Sequence, residues 1–466
     1  MFPKYPAIYT DFYELTMAQG YFLSGRHKLP ATFDYFFRSC PFEGGYVVFA
    51  GISDFLELLK DLHFSDEELT YLKEQGFKEK FLNYLKDFKF EGNISSVKEG
   101  EVVFPNEPIV RVQGTVLETQ IIETLLLNIL NFESLVATKA SRIREVAGDK
   151  VVLDFGLRRS QGPGGILASK ASVIGGLNGS SNVYSGLLFG LDVGGTMAHS
   201  WIQSFEDELT AFQTYAEFYP DDSVLLVDTY DTLKSGVPNA IIVAKELEEQ
   251  GHQLRAIRLD SGDLAYFAKQ SRELLNSAGL DYVKIAVSNQ LDEHLIRSLN
   301  DQGAPIDIFG VGTKLATAFD DPALDGVYKL SEIGDRPTLK ISENIEKITL
   351  PGSKRILRFL NKDGSFNSDG IFLSEEQEHG IIQHPYFPAK KTDVGSLKNV
   401  ELMKEVVTKG NITTDIPSVK ESAAYAHSQL KRLNAEHKRF DNPHVYKVGI
   451  SNSLADLRDQ LIKQKD

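Results

Sequence analysis

Leu254-Arg255-Ala256-Ile257-Arg258-Leu259-Asp260-Ser261-Gly262-Asp263 is a short, largely apolar run that ends in a polar turn. Residues 263–278 follow with apolar side chains at helical spacing. A strand that feeds a helix, repeated along a chain, means parallel strands joined by crossover helices. Within the strand, Arg258 and Asp260 are two residues apart and point to the same side.

Working outward, the pattern recurs. Apolar or β-branched runs occupy 151–155, 173–176, 190–193, 224–228, 283–287, 306–311 and 327–330. Helical apolar spacing fills 237–250 and 290–300, while the helix pattern between the second and third runs is weak. About eight such units fit an irregular (β/α)8-type (TIM) barrel better than an open doubly wound sheet, although the pattern allows both. The expected fold is therefore α/β. The barrel spans 131–350, an additional N-terminal α+β domain spans 1–130, and a C-terminal hairpin and helical segment, 351–466, is free to pack back on it.

The N-terminal part reads as a helix over 9–23, a strand over 31–37, helices over 52–62 and 66–90, short strands around Pro105 and Pro108, and an apolar helix over 118–132. In the last part, 355–359 and 370–373 flank the turn Asn361-Lys362-Asp363-Gly364 as a hairpin. An amphipathic helix is expected over 420–439, and 451–466 reads as a short helix or a frayed tail.

A chain of 466 residues holds more than one core. Its 42% hydrophobic and 25% charged residues are an ordinary globular mix. The net charge of −15 and the lack of a Lys/Arg block argue against nucleic-acid binding. A single cysteine, Cys40, rules out an intrachain disulfide or a Cys-based zinc site and fits a reducing compartment. Residues 1–10 lack a basic-then-apolar signal. No apolar stretch approaches the roughly 18–20 residues that span a membrane. A cytoplasmic protein without membrane contact is expected.

Barrel enzymes gather chemistry at the C-terminal ends of their strands, and here the runs end in polar residues. Asp154-Phe155-Gly156-Leu157-Arg158-Arg159 closes the first. Gly194-Gly195-Thr196-Met197-Ala198-His199-Ser200 closes the third. Asp228, the Arg258–Asp263 turn, Ser288-Asn289 and Gly310-Val311-Gly312-Thr313-Lys314 close others. Each tip alone reads equally as a turn with helix caps; six on one end of one sheet read as a site. The small residues around His199 leave its imidazole uncrowded, as a base, ligand or nucleophile requires. Backbone N–H groups after Gly310 and Gly312, with the Thr313 hydroxyl, suit a phosphate. Arg158 and Arg159 offer forked contacts to phosphate or carboxylate. Asp260 and Asp263 can bind Mg²⁺ through water, hold ribose hydroxyls or support positive charge on a sugar. Asp263 reads as well as a helix N-terminal charge. Ser288 and Asn289 add polar groups for a phosphoribosyl ligand.

Taken together, Thr10-Asp11-Phe12-Tyr13, residues 33–49 (FDYFFRSCPFEGGYVVF), 154–165 (DFGLRRSQGPGG), 179–183 (GSSNV), 195–200 (GTMAHS), 258–263 (RLDSGD) and 310–313 (GVGT) resemble the nicotinate phosphoribosyltransferase family. The resemblance implies conversion of nicotinate and 5-phosphoribosyl 1-diphosphate to nicotinate mononucleotide and diphosphate, the first step of NAD salvage. It implies ATP hydrolysis through a phosphohistidine at His199, with Mg²⁺ carried on the phosphates of ATP and the ribosyl donor and no protein metal ligands assigned. It places the pyridine ring between Phe155 and Tyr13, the latter supplied by a second subunit, so a homodimer with shared sites is expected. Arg258 and Thr196 would read the nicotinate carboxylate. At Ser181, nicotinamide-using relatives carry an Asp; a carboxylate there would repel nicotinate, whereas a hydroxyl does not. The competing readings are a nicotinamide or quinolinate phosphoribosyltransferase, a non-catalytic phosphate-binding barrel, and an aldolase or isomerase. The last is disfavoured because Lys170 and Lys314 fall in helical or loop stretches rather than at strand ends.

Overall fold

The computed structural model describes residues 5–377 and 379–465. Its contacts divide the chain into two units: one from Lys139 to Pro322, the other holding the residues up to Thr138 together with those from Ala323 onward.

The Lys139–Pro322 unit is built on a parallel sheet. Six strands are hydrogen-bonded among the described residues, in the order Gly179–Ser180, Val151–Asp154, Ile308–Val311, Lys284–Val287, Ala256–Leu259 and Val224–Leu226. Val152, Ile257, Leu259, Ile285, Phe309 and Val311 are fully buried. A parallel sheet covered by helices buries both faces, which is why these strands read as apolar runs rather than alternating ones. Helices Val237–Glu249, Leu264–Ser277 and Glu293–Asp301 lie where apolar spacing placed them. Acids at their entrances are caps: Asp263 Oδ1 accepts from Tyr266 N and Asp292 Oδ1 from Leu295 N.

The α/β class stands, but six hydrogen-bonded parallel strands replace the eight expected. Residues 173–176 are the last turn and cap of the helix Gly164–Ile174, apolar because that helix is buried. In 190–193, Gly190 is the left-handed cap of the helix Val183–Phe189, and only Val193 bridges Ser180. Residues 327–330 belong to Gly326–Ile333, which pairs antiparallel with Pro30–Phe37 in the other unit. Short apolar runs do not distinguish a buried helix from a strand.

The other unit carries a seven-stranded antiparallel sheet and a six-stranded mixed sheet. The division at 138/139 and 322/323 differs from the expected 130/131 and 350/351. The apolar helix continues as Glu123–Ala147, and the strand Gly326–Ile333 joins the N-terminal sheet. The C-terminal residues share this unit, since the strand Lys404–Thr408 pairs with Asn93–Ser96. The expected hairpin forms from Lys354–Leu360 and Phe366–Leu373. The expected helix over 66–90 is broken in two at Gly76, whose φ of 91° favours glycine. The helix expected over 420–439 is Val419–Arg432. Among the described residues, no helix is long and apolar enough to cross a membrane.

Candidate active site

Four further backbone bonds, each just beyond an assigned strand, carry the pairing on to the C-terminal tips. Val227 N donates to Arg258 O (3.1 Å), Ser288 N to Leu259 O (3.0 Å), Phe155 N to Val311 O (2.7 Å) and Ser181 N to Asp154 O (2.8 Å). The residues that follow are therefore delivered to one edge of the sheet.

Arg258 organises that edge. Its Nε donates to Ser288 Oγ (2.9 Å), Nη1 to Thr196 Oγ1 (2.6 Å) and Met197 O (3.4 Å), and Nη2 to Asp260 Oδ1 (2.9 Å). Ser288 Oγ also donates to Asp260 Oδ1. Four of the five guanidinium N–H groups are thus engaged, leaving one on Nη2. Burial by itself would raise the Asp260 carboxyl, but the bonds from Ser288 and Arg258 and the nearby charge of Arg258 outweigh it, so its pKa lies below the ordinary value. Asp260 is a carboxylate at neutral pH.

His199 begins the short helix His199–Gln203. Its Nε2 lies 4.0 Å from Asp260 Oδ2, and its Nδ1 lies 3.0 Å from Thr229 Oγ1. Asp228, on the neighbouring tip, accepts from Asp260 N (2.8 Å) and Ser261 Oγ (2.6 Å) through Oδ2. Its Oδ1 is buried without a hydrogen-bond partner among the described residues. Asp228 was legible only as a strand end and Thr229 not at all; their pairing with distant residues has no sequence period.

Phe155 supplies a half-buried aromatic face with the Arg258 guanidinium 5.7 Å from its ring centroid. Gly310 lies inside the strand Ile308–Val311, and a Cβ there would meet the Phe155 ring at 2.4 Å. Gly310 therefore makes room for the aromatic plate. Gly312, at the start of Thr313–Ala316, would place a Cβ 3.2 Å from Phe155 O. Ser181 stands on the tip beside Phe155. Asn182 is occupied, capping Ser185 N and bonding Ser169 and Gly165.

The remaining expected residues divide. The side chains of Arg158 and Arg159 are exposed on the turn after Phe155 and make no ion pair or hydrogen bond among the described residues. Asn289 is exposed at φ 92°, a strained value for a residue with a side chain. Ser288 turns inward onto Asp260, and Asp263 caps its helix. Lys314 pairs with Asp292 and is not a free amine. Thr313 opens the four-residue helix, whose first N–H groups have no partner within it. Tyr13 belongs to the other unit, on the helix Phe12–Leu23, 46% exposed. Burial and the Glu123 carboxylate, to which it is hydrogen-bonded, push its hydroxyl pKa well up, so it stays neutral.

An aromatic plate beside a cation, a carboxylate facing an imidazole, and open N–H groups with two unpaired arginines can hold a flat acid, a sugar and phosphates on one edge. Comparison with known proteins identifies a family. A family model described as "Nicotinate phosphoribosyltransferase (NAPRTase) family" matches residues 151–372. Models of the N-terminal and C-terminal domains of nicotinate phosphoribosyltransferase match 8–131 and 353–458. The chain is 43% identical to the nicotinate phosphoribosyltransferase of Bacillus subtilis, covering 98% of this chain and 95% of that one. It is 38% identical to the enzyme of that name from Dictyostelium discoideum, covering 97% and 87%. The crystal structure of human nicotinic acid phosphoribosyltransferase superimposes with a TM-score of 0.87 at 33% identity, covering 97% and 99%.

Proposed function

The chain belongs to the nicotinate phosphoribosyltransferase family, and from that premise we propose how its residues divide the reaction. The enzyme joins nicotinate to 5-phosphoribosyl 1-diphosphate, giving nicotinate mononucleotide and diphosphate for NAD synthesis. The pyridine nitrogen lone pair forms the bond to ribose C1, and the C1–O bond breaks with its electron pair leaving on diphosphate. Phe155 carries the ring. The remaining Nη2 donor of Arg258 reads the carboxylate together with the Thr196 hydroxyl, which turns to it from Met197 O (3.1 Å), and Ser181 admits an acid where a carboxylate side chain would repel it. Asp260 stabilises the positive charge that develops on the ribose. Arg158, Arg159, Asn289 and the N–H groups around Gly312 and Thr313 take the phosphates.

His199 accepts the γ-phosphoryl group of ATP, and its hydrolysis is coupled to transfer. The added charge of about −1.5 to −2 is large enough to reorganise the tip through Arg258 or Arg159. The observation that carries this is Asp260, which joins Arg258 on one oxygen to the His199 ring on the other. Mg²⁺ fits the donors present. Among the described residues no group of three or more His, Cys, Asp or Glu could hold a metal alone, so the cation would come on the substrate phosphates and keep its waters, with the Asp260 carboxylate as the nearby acid. Bound there, Mg²⁺ would neutralise phosphate charge.

The working form is a homodimer in the cytoplasm, with Tyr13 of the partner subunit as the second aromatic plate. Exposed Phe12, Tyr13 and Met17 on one helix, and exposed Val183 and Leu187 on another, support association. The test is turnover with purified chain, phosphoribosyl diphosphate, Mg²⁺ and ATP. Nicotinate releases ADP and diphosphate together, and nicotinamide releases neither. Equal turnover of nicotinamide, or ADP release that ignores nicotinate, would contradict the assignment.

A further inference from the structure

A buried carboxylate accepts hydrogen bonds and donates none, so it sits only where enough donors converge on it. Asp154, the last residue of the strand Val151–Asp154, is 1% exposed. Its Oδ1 accepts from Gly156 N (2.7 Å), and its Oδ2 accepts from Ser169 Oγ (2.8 Å) and Ser180 Oγ (2.7 Å). The three donors come from three elements: the turn after Phe155, the helix Gly164–Ile174 and the strand Gly179–Ser180.

Asn182 sets the direction of these bonds. Its backbone N–H donates to Ser180 Oγ (3.0 Å) and its Nδ2 to Ser169 Oγ (3.2 Å). Ser180 gives its own proton to the nearest acceptor, Asp154, with Ser169 Oγ farther off at 3.2 Å. Ser169 is also within reach of Gly165 O (3.0 Å), so Ser180 is the less replaceable strut. Both serines are fully buried, and a bond lost there is not recovered from bulk water. An amide at 154 would turn a donor either toward these hydroxyls or toward Gly156 N–H, where an acceptor is needed.

Two walls of one subsite hang from this residue. Phe155 follows it directly. Gly156, held by Oδ1, has no space for a side chain: a Cβ would lie 2.4 Å from Ala316 Cβ and 3.0 Å from Gly312 O. On the other wall Ser181 N donates to Asp154 O (2.8 Å), one residue beyond the tethered Ser180.

We propose that Asp154 is a positioning residue for the acid-binding subsite: its carboxylate clamps the Phe155–Gly156 turn to the Ser180 end of the neighbouring strand and so sets the aromatic plate and Ser181 relative to each other. The proposal rests on Phe155 and Ser181 being the walls of the nicotinate subsite.

The test is steady-state kinetics of the full chain and its variants with nicotinate, nicotinamide and phosphoribosyl diphosphate, each variant first shown to be folded by thermal unfolding. Ser180→Ala removes one strut and leaves the carboxylate in place, so it decides the matter even if Asp154→Asn does not fold. The expected result is a nicotinate KM raised about tenfold, one hydrogen bond to a charged group's worth. The preference in kcat/KM for nicotinate over nicotinamide narrows, and the KM for phosphoribosyl diphosphate is unchanged. Ser172→Ala, equally buried on the same helix but bonded to Ala168 O, moves none of these. Natural nicotinate KM and acid preference in Ser180→Ala, or a parallel rise in both substrates' KM, would overturn the proposal. Phe155→Leu separates the two claims. If it impairs nicotinate binding while Ser180→Ala does not, the clamp alone fails; if its nicotinate KM is natural, the subsite reading fails and the proposal with it.

Discussion

Arg258 and Asp260, two residues apart on one strand, close an ion pair across its tip with Nη2 and Oδ1 2.9 Å apart. Ser288 from the next strand binds both partners, so three side chains from two tips act as one rigid unit. The pairing leaves Asp260 Oδ2 to face His199 and one guanidinium N–H to face a ligand.

Asp260→Asn keeps the shape and removes the charge. Loss of a stabilising charge at the ribose is expected to lower kcat about 100- to 1000-fold with a smaller change in KM for nicotinate. Steady-state kinetics checks this. A KM effect with unchanged kcat would make Asp260 a binding residue only.

Ser181→Asp brings a carboxylate to the tip beside Phe155. Repulsion of an acid at short range in a partly dry site is expected to weaken nicotinate at least about tenfold while sparing nicotinamide. The ratio of kcat/KM for the acid and the amide measures it, and an unchanged ratio removes Ser181 from specificity.

Gly310→Ala places a methyl group where the Phe155 ring lies, 2.4 Å from its nearest atom. The ring must move. Overpacking costs about 1–3 kcal/mol, so urea unfolding should show that loss, accompanied by a raised KM for nicotinate. A variant with natural stability and KM would mean that the ring is loosely held.

Glu14 is buried on the helix Phe12–Leu23, with its oxygens accepting from Thr10 and Thr124. Burial raises its pKa to about 7 despite those two bonds, with Glu123 and Asp11 adding repulsion. A carboxyl whose folded pKa is raised favours the protonated folded state. Its stabilising contribution is present below the unfolded value of about 4.5 and is lost as pH rises toward 7. Glu14→Gln should therefore be more stable than the natural chain at pH 8, with the advantage shrinking by pH 5. Thermal unfolding across that range checks the sign.

The strand tips were legible because each apolar run is short, buried on both faces and stopped by a polar residue. Arg258, Asp260 and Ser288 follow from that alone, and the structure brings them together. The runs at 173–176 and 327–330 differ from expectation for the same reason: four apolar residues are compatible with a buried helix end or an antiparallel strand, and only tertiary contacts choose. The need for glycine at 310 beside the Phe155 ring has no local pattern, because a missing Cβ can serve a ligand or a neighbouring ring alike. Thr229 was invisible, since a hydroxyl that meets an imidazole 30 residues earlier in the chain leaves no local pattern.

The account turns on His199, and its most direct test is to incubate the protein with γ-labelled ATP and Mg²⁺, then map acid-labile label by digestion. The predicted result is label on the peptide containing His199, lost in His199→Ala, which keeps slow transfer without ATP coupling. Full ATP-dependent turnover in His199→Ala, or label on another residue, would contradict it.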